Sequence, residues 1–102
     1  SLDAFWEAGA PPPDLVKIDA EGAEPAILAG MQQLLERSPN AQLVIEFLPA
    51  ALTRAGHDAL AFLRSLERLG FRLHVITPRG RFRPTTIEDL RACERAELYL
   101  RR

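Results

Sequence analysis

The chain has 102 residues, 47% hydrophobic and 26% charged, with a net charge of −1. These values suit one globular domain with a modest core, and they give no basic field for nucleic acid. A single cysteine, Cys93, excludes an internal disulfide framework and a cysteine-based zinc site. No run approaches the roughly 18 apolar residues of a membrane span. No signal-peptide pattern opens the chain, so a reducing cytoplasm is expected. Ser1-Leu2-Asp3 begins abruptly, as if cut from a longer chain. Twelve of the thirteen basic residues are arginine, which fits a GC-rich bacterial coding bias. Charge is unevenly spread. Residues 1–50 carry eight acids against Lys17 and Arg37, whereas residues 51–102 carry eleven arginines against six acids. Solvated faces explain this first; a crevice between the halves that suits a zwitterion is the alternative.

Residues 1–9 read as a short helix, with Leu2, Phe5 and Trp6 on its apolar side and Gly9 at its end. Pro11-Pro12-Pro13 is a stiff extended spacer without backbone donors. It leads into a first strand, Leu15 to Asp19. Lys17 interrupts that apolar run. It either marks an edge strand protected against aggregation or faces a crevice beside Asp19. Asp19, Glu21 and Glu24 place three acids within six residues around Gly22. In α/β proteins the carboxyl end of a strand points its last side chains toward the ligand crevice. Helix capping is the competing reading, strongest for Glu24 because Pro25 suits a first helical turn and an acid suits the positive end of the helix dipole.

Ile27, Leu28, Met31, Leu34 and Leu35 then form one stripe of a helix that Ser38-Pro39-Asn40 stop. Gly30 lies inside this helix at a cost of about 1 kcal/mol against alanine; close approach of helix to sheet is the expected compensation. Residues 42–48 read as a second strand. The continuous Leu43-Val44-Ile45 suggests cover on both faces, and the strand ends in another acid, Glu46. Two strands joined by a helix make a βαβ unit with parallel strands, so Asp19 and Glu46 are expected at one sheet edge. Residues 50–57 read as a loop or a ragged helical turn.

Asp58 caps the next helix. Leu60, Leu63, Leu66 and Leu69 are buried there, Phe62 is a candidate to join them, and Gly70 with Phe71 forms a C-terminal cap. Residues 71–77 predict a third strand. His74 on it and His57 before Asp58 are read as satisfied or solvated residues ahead of ligands. Pro78 to Arg81 is a turn. If residues 81–83 are extended, Phe82 packs and Arg81 and Arg83 face water, with a phosphate-binding patch as the less favoured reading. Thr85 with Glu88, or Thr86 with Asp89, is a capping box. Cys93 is read as packing or lying exposed ahead of reacting, since no helix N-terminus or histidine is evident beside it. Residues 97–100 form a final strand, and the short connection allows it to run antiparallel to its neighbours.

The stretch Lys17-Ile18-Asp19, Glu21-Gly22-Ala23-Glu24, Leu28-Ala29-Gly30 and Val44-Ile45-Glu46 resembles the FkbM family of S-adenosylmethionine-dependent methyltransferases over residues 1 to about 50. The K-I-D-x-E-G-A-E run is its most specific part. The resemblance implies an α/β fold: the C-terminal part of a Rossmann-like class I methyltransferase sheet, parallel strands with a final antiparallel strand, helices on both faces. This chain would form a single domain, residues 1–102, supplying only strands four to seven. The Gly-rich cofactor loop after the family's first strand is absent.

By the same resemblance, Asp19 is catalytic and lies nearest the S-adenosylmethionine methyl group and the acceptor. Glu21 and Glu46 line the acceptor pocket, and Gly22 lets the backbone turn beside the cofactor. The expected partner is a small-molecule, sugar or lipid acceptor, with no nucleic acid and no membrane. The chain alone is expected to be inactive. The first strand would lack its usual neighbour, so self-association through that edge is expected. Two other readings stay open from the residues: a Mg²⁺ site held by Asp19, Glu21 and Glu46, and a non-catalytic α/β module.

Overall fold

A computed structural model describes residues 15–18, 23–30 and 32–102, with the side chains of Glu24 and Leu34 also outside the description. The predicted helix over residues 1–9, the proline spacer, Asp19, Glu21, Gly22 and Met31 therefore lie outside the described residues. Among the described residues five strands form one sheet: β1 (Leu15–Ile18), β2 (Gln42–Phe47), β3 (Arg72–Ile76), β4 (Phe82–Pro84) and β5 (Ala96–Arg101). Their order is β1-β2-β5-β3-β4. β1 and β2 are parallel, as the βαβ reading requires. β5 is antiparallel to both β2 and β3, so β3 shares the sense of β1 and β2. The mixed α/β sheet and its antiparallel last strand agree with the fold expected from the sequence.

The predicted helix after β1 is divided. α1 (Glu24–Ala29) and α2 (Gln32–Glu36) are separated at Gly30, whose φ of −74° and ψ of −7° close α1. Among the described residues a Cβ on Gly30 would meet only carbonyl oxygens of its own turn, at 3.5 and 3.7 Å. Glycine is here for weak helix propensity and not, as the sequence suggests, for close approach to the sheet. Pro25 sits in the first turn of α1 as expected. Residues after β2 form a regular helix, α3 (Pro49–Arg54), started by Pro49.

α4 (Ala59–Arg68) follows the sequence closely. An Asp58 carboxylate oxygen accepts from the N–H groups of Leu60 and Ala61 at 2.9 and 3.1 Å. Gly70 has φ +92°, which only glycine adopts cheaply. The Gly70 and Phe71 N–H groups donate to the Glu67 and Leu66 carbonyls, and Phe71 is buried. Phe71 thus belongs to the cap and β3 begins one residue later. α5 (Ile87–Leu90) uses the second capping register: the Asp89 N–H donates to Thr86 Oγ1 at 3.1 Å. Glu88 instead pairs with Arg91.

One sheet face carries the core. Leu43, Ile45 and Phe47 of β2, Leu98 and Leu100 of β5 and Leu73 of β3 pack with Leu28, Leu35, Leu52, Phe62, Leu63, Leu66 and Leu90 from the five helices. Burying such a side chain contributes about 1.5–3 kcal/mol. The opposite face carries Gln42, Val44 and Glu46, all half-buried. The alternation in β2 differs from the two-sided cover expected of Leu43-Val44-Ile45, because the described helices all pack on the first face. On the second face Phe82 is 55% exposed but stacks on Tyr99, ring centroids 4.1 Å apart. The Tyr99 hydroxyl donates to Gln42 Oε1 at 2.8 Å.

The amino edge of the parallel strands is closed by Arg102. Its guanidinium donates to the carbonyls of Leu35, Ser38 (2.6 Å) and Leu69 (3.4 Å), and it lies 4.7 Å over the Phe71 ring. Two of these carbonyls follow the last turns of α2 and α4, where a cation complements the helix dipole.

Candidate functional site

The carboxyl edge of β1, β2 and β3 is the place where an α/β sheet builds a ligand site. Ile18 pairs with Ile45, so β1 ends one residue short of the level of Glu46. Asp19, Glu21 and Gly22 themselves lie outside the described residues. Glu46 is described: its side chain is 21% exposed and its Oε1 is 3.4 Å from an Arg95 guanidinium nitrogen. The β2–β5 register sets Glu97 directly across from Glu46 on the same face. Two like charges opposite one another repel, and Arg95 offsets part of that repulsion. Arg95, on the approach to β5, is 66% exposed, so the pair is only partly desolvated.

Beside this trio lies an open depression of about 700 Å³, bounded by the end of β3, the β3–β4 turn, α5 and the start of β5. Arg95 and Glu97 line it together with Arg83 and Asp89. The turn is tight: the Thr77 N–H donates to the Arg81 carbonyl, the Gly80 N–H returns to the Thr77 carbonyl, and Gly80 has φ +76°. Cys93 is half-buried against the core, and loss of solvent pushes its thiol pKa up from the ordinary value. It is a packing residue, the first of the two readings the sequence leaves open.

Neither histidine belongs to this site. His57 lines a groove of about 490 Å³ between α1 and α4, away from Glu46. His74 lies half-buried on β3, 5.8 Å from the Tyr99 ring, with Nδ1 buried and bonded to nothing among the described residues. Arg95 and Glu97 are the site residues that sequence reasoning missed. They read as charges flanking a strand, and only the strand order brings them to Glu46.

The described residues do not by themselves fit a whole nucleotide cofactor. Gly56, Gly70 and Gly80 have positive φ, yet none stands in a turn from a parallel strand into a helix. Among the described residues no three of His, Cys, Asp and Glu gather as a metal ion requires. No described helix is long and apolar enough to cross a membrane. What the edge offers is a partly buried carboxylate steadied by a guanidinium, beside a mixed polar and apolar depression.

A comparison with protein-family models matches residues 1–73 to the methyltransferase FkbM domain. Searches of curated proteins and of solved structures return no match. The matched span covers most of the chain and includes β1, the acidic stretch, β2 with Glu46, and α4. The chain belongs to the FkbM methyltransferase family.

Proposed function

We propose that this chain forms the acceptor side of an S-adenosylmethionine-dependent O-methyltransferase acting on a small-molecule, sugar or lipid hydroxyl. The observation that carries the reading is the family match over residues 1–73, which takes in the carboxyl edge where Glu46 stands. A sulfonium-bound methyl group is already activated, so a protein's work is to align the acceptor and accept its proton. In this reading Asp19 performs both tasks, with Glu21 and Glu46 holding the acceptor and Gly22 beside the cofactor. The described turns supply no cradle for the cofactor's body. The chain is accordingly proposed as the C-terminal half of a domain, inactive alone, with the cradle in sequence ahead of Ser1.

Calorimetric titration of S-adenosylhomocysteine tests this. Micromolar binding is expected for the chain extended upstream by a segment bearing a Gly-rich strand-to-helix turn, and none for residues 1–102. Failure of the extended chain to bind overturns the methyltransferase reading; binding by the short chain overturns the half-domain reading.

The same reading gives β1 an open outer edge. Leu15 is 57% exposed, Lys17 is exposed, and among the described residues β1 pairs with β2 alone. Unpaired strand edges recruit other strands. Sedimentation velocity on residues 1–102 is expected to show concentration-dependent association, reduced by Val16→Pro, which removes a backbone donor. A clean monomer at high concentration would remove this proposal.

A further inference from the structure

We infer that the depression beside Glu46 is the acceptor site and that it is built for a polyhydroxylated, sugar-like compound; this rests on the methyltransferase reading. Its volume of about 700 Å³ falls within the range of small-molecule sites. Its polar groups are balanced: Arg95 and Glu97 come from the β5 side, Arg83 and Asp89 from β4 and α5. A phosphate or carboxylate ligand would meet two carboxylates along with the two guanidiniums, and gains little net attraction. A lipid chain would lie beside four exposed charged groups that offer it no apolar contact. A ring bearing several hydroxyls suits all four, because each hydroxyl donates to a carboxylate and accepts from a guanidinium. Val75, Ile76 and Ala96 supply apolar surface for the C–H side of such a ring.

Arg95 joins the two regions. It lines the depression and its guanidinium also reaches Glu46. A hydroxyl bound at Arg95 is therefore one side chain away from the carboxylate at the sheet edge. Arg95 is the specificity residue in this arrangement, and Glu97, directly across from Glu46, is its companion.

The test is an amide-shift titration of the ¹⁵N-labelled 102-residue chain with methyl glycosides of glucose, mannose, galactose and fucose, and with inorganic phosphate and decanoate. At least one glycoside is expected to shift the Thr77, Thr85 and Cys93 amides saturably in the millimolar range. Arg95→Ala and, separately, Glu97→Gln are expected to weaken that binding at least tenfold. The Gly70 amide, at the far edge, should keep its position in both variants and report an intact fold. Saturation by phosphate or decanoate in preference to every glycoside overturns the inference, as does the absence of saturable shifts with any glycoside. The cofactor titration above separates the two claims. Glycoside shifts in this chain without S-adenosylhomocysteine binding by the extended chain sink the methyltransferase reading alone. S-adenosylhomocysteine binding without glycoside shifts sinks the acceptor assignment alone.

Discussion

The two edges of the sheet are built on opposite plans. At the amino edge one arginine, Arg102, satisfies three backbone carbonyls and covers an aromatic ring, in a space so filled that a Cβ on Gly70 would lie 3.3 Å from its Cδ. At the carboxyl edge Arg95 reaches a single carboxylate at 3.4 Å and is otherwise in water, with Arg83, Asp89 and Glu97 around an open depression. The same residue type closes one end and leaves the other available. The difference is desolvation. A half-buried guanidinium held by three carbonyls fixes structure, whereas one that keeps most of its water can exchange partners at low cost.

Paired substitutions sharpen this contrast. Arg102→Ala leaves the Leu35, Ser38 and Leu69 carbonyls without their donor and is expected to cost about 2–3 kcal/mol in urea unfolding. Arg95→Ala, measured the same way, should cost less than about 1 kcal/mol, as exposed ion pairs do. Equal losses at the two positions would break the distinction between a closed and an open edge.

A smaller effect comes from Cys93 beside the depression. Its thiol pKa is raised in the folded chain by burial. The unfolded chain therefore releases this proton first as pH rises. The Cys93 contribution is fully present below the ordinary value of 9.0 and is lost progressively as pH climbs above it. Cys93→Ser should flatten the decline in stability between pH 8 and pH 10. An unchanged slope would mean that Cys93 is as hydrated as a free thiol.

Local features were the legible ones. The Asp58 cap, the Gly70–Phe71 ending, the Thr86 cap and the α4 stripe each depend on residues within one or two turns of each other, and sequence spacing displays them directly. Gly30 was visible too, but its consequence was not. A glycine within an apolar stripe can mean close packing or a helix end, and tertiary context chooses. The parallel β1–β2 pair followed from the βαβ pattern, but the place of β5 in the strand order is non-local and carried no comparable signal. Nothing in Glu94-Arg95-Ala96-Glu97 announces that the following strand inserts beside β2, so the Glu46–Arg95 contact could not be read in advance. Among the acidic residues that the sequence singled out, Glu46 is the one whose surroundings are now described; the roles of Asp19, Glu21 and Gly22 rest on the family resemblance.

The strand order also sets a timetable for synthesis. Of the five described strands β5 is the last to be made, yet it lies between β2 and β3 and joins them. Until residues 96–102 have left the ribosome, the β1–β2 pair and the β3–β4 hairpin have no shared strand, and Arg102 cannot reach carbonyls 33 to 67 residues behind it. Leu43, Ile45 and Leu73 lack one side of their packing until β5 is made. A nascent chain in that state exposes two short sheets with open edges, a species prone to aggregation. The exposure of these open edges thus ends only when residues 96–102 are made, and a stall just before them should be more hazardous than one just after.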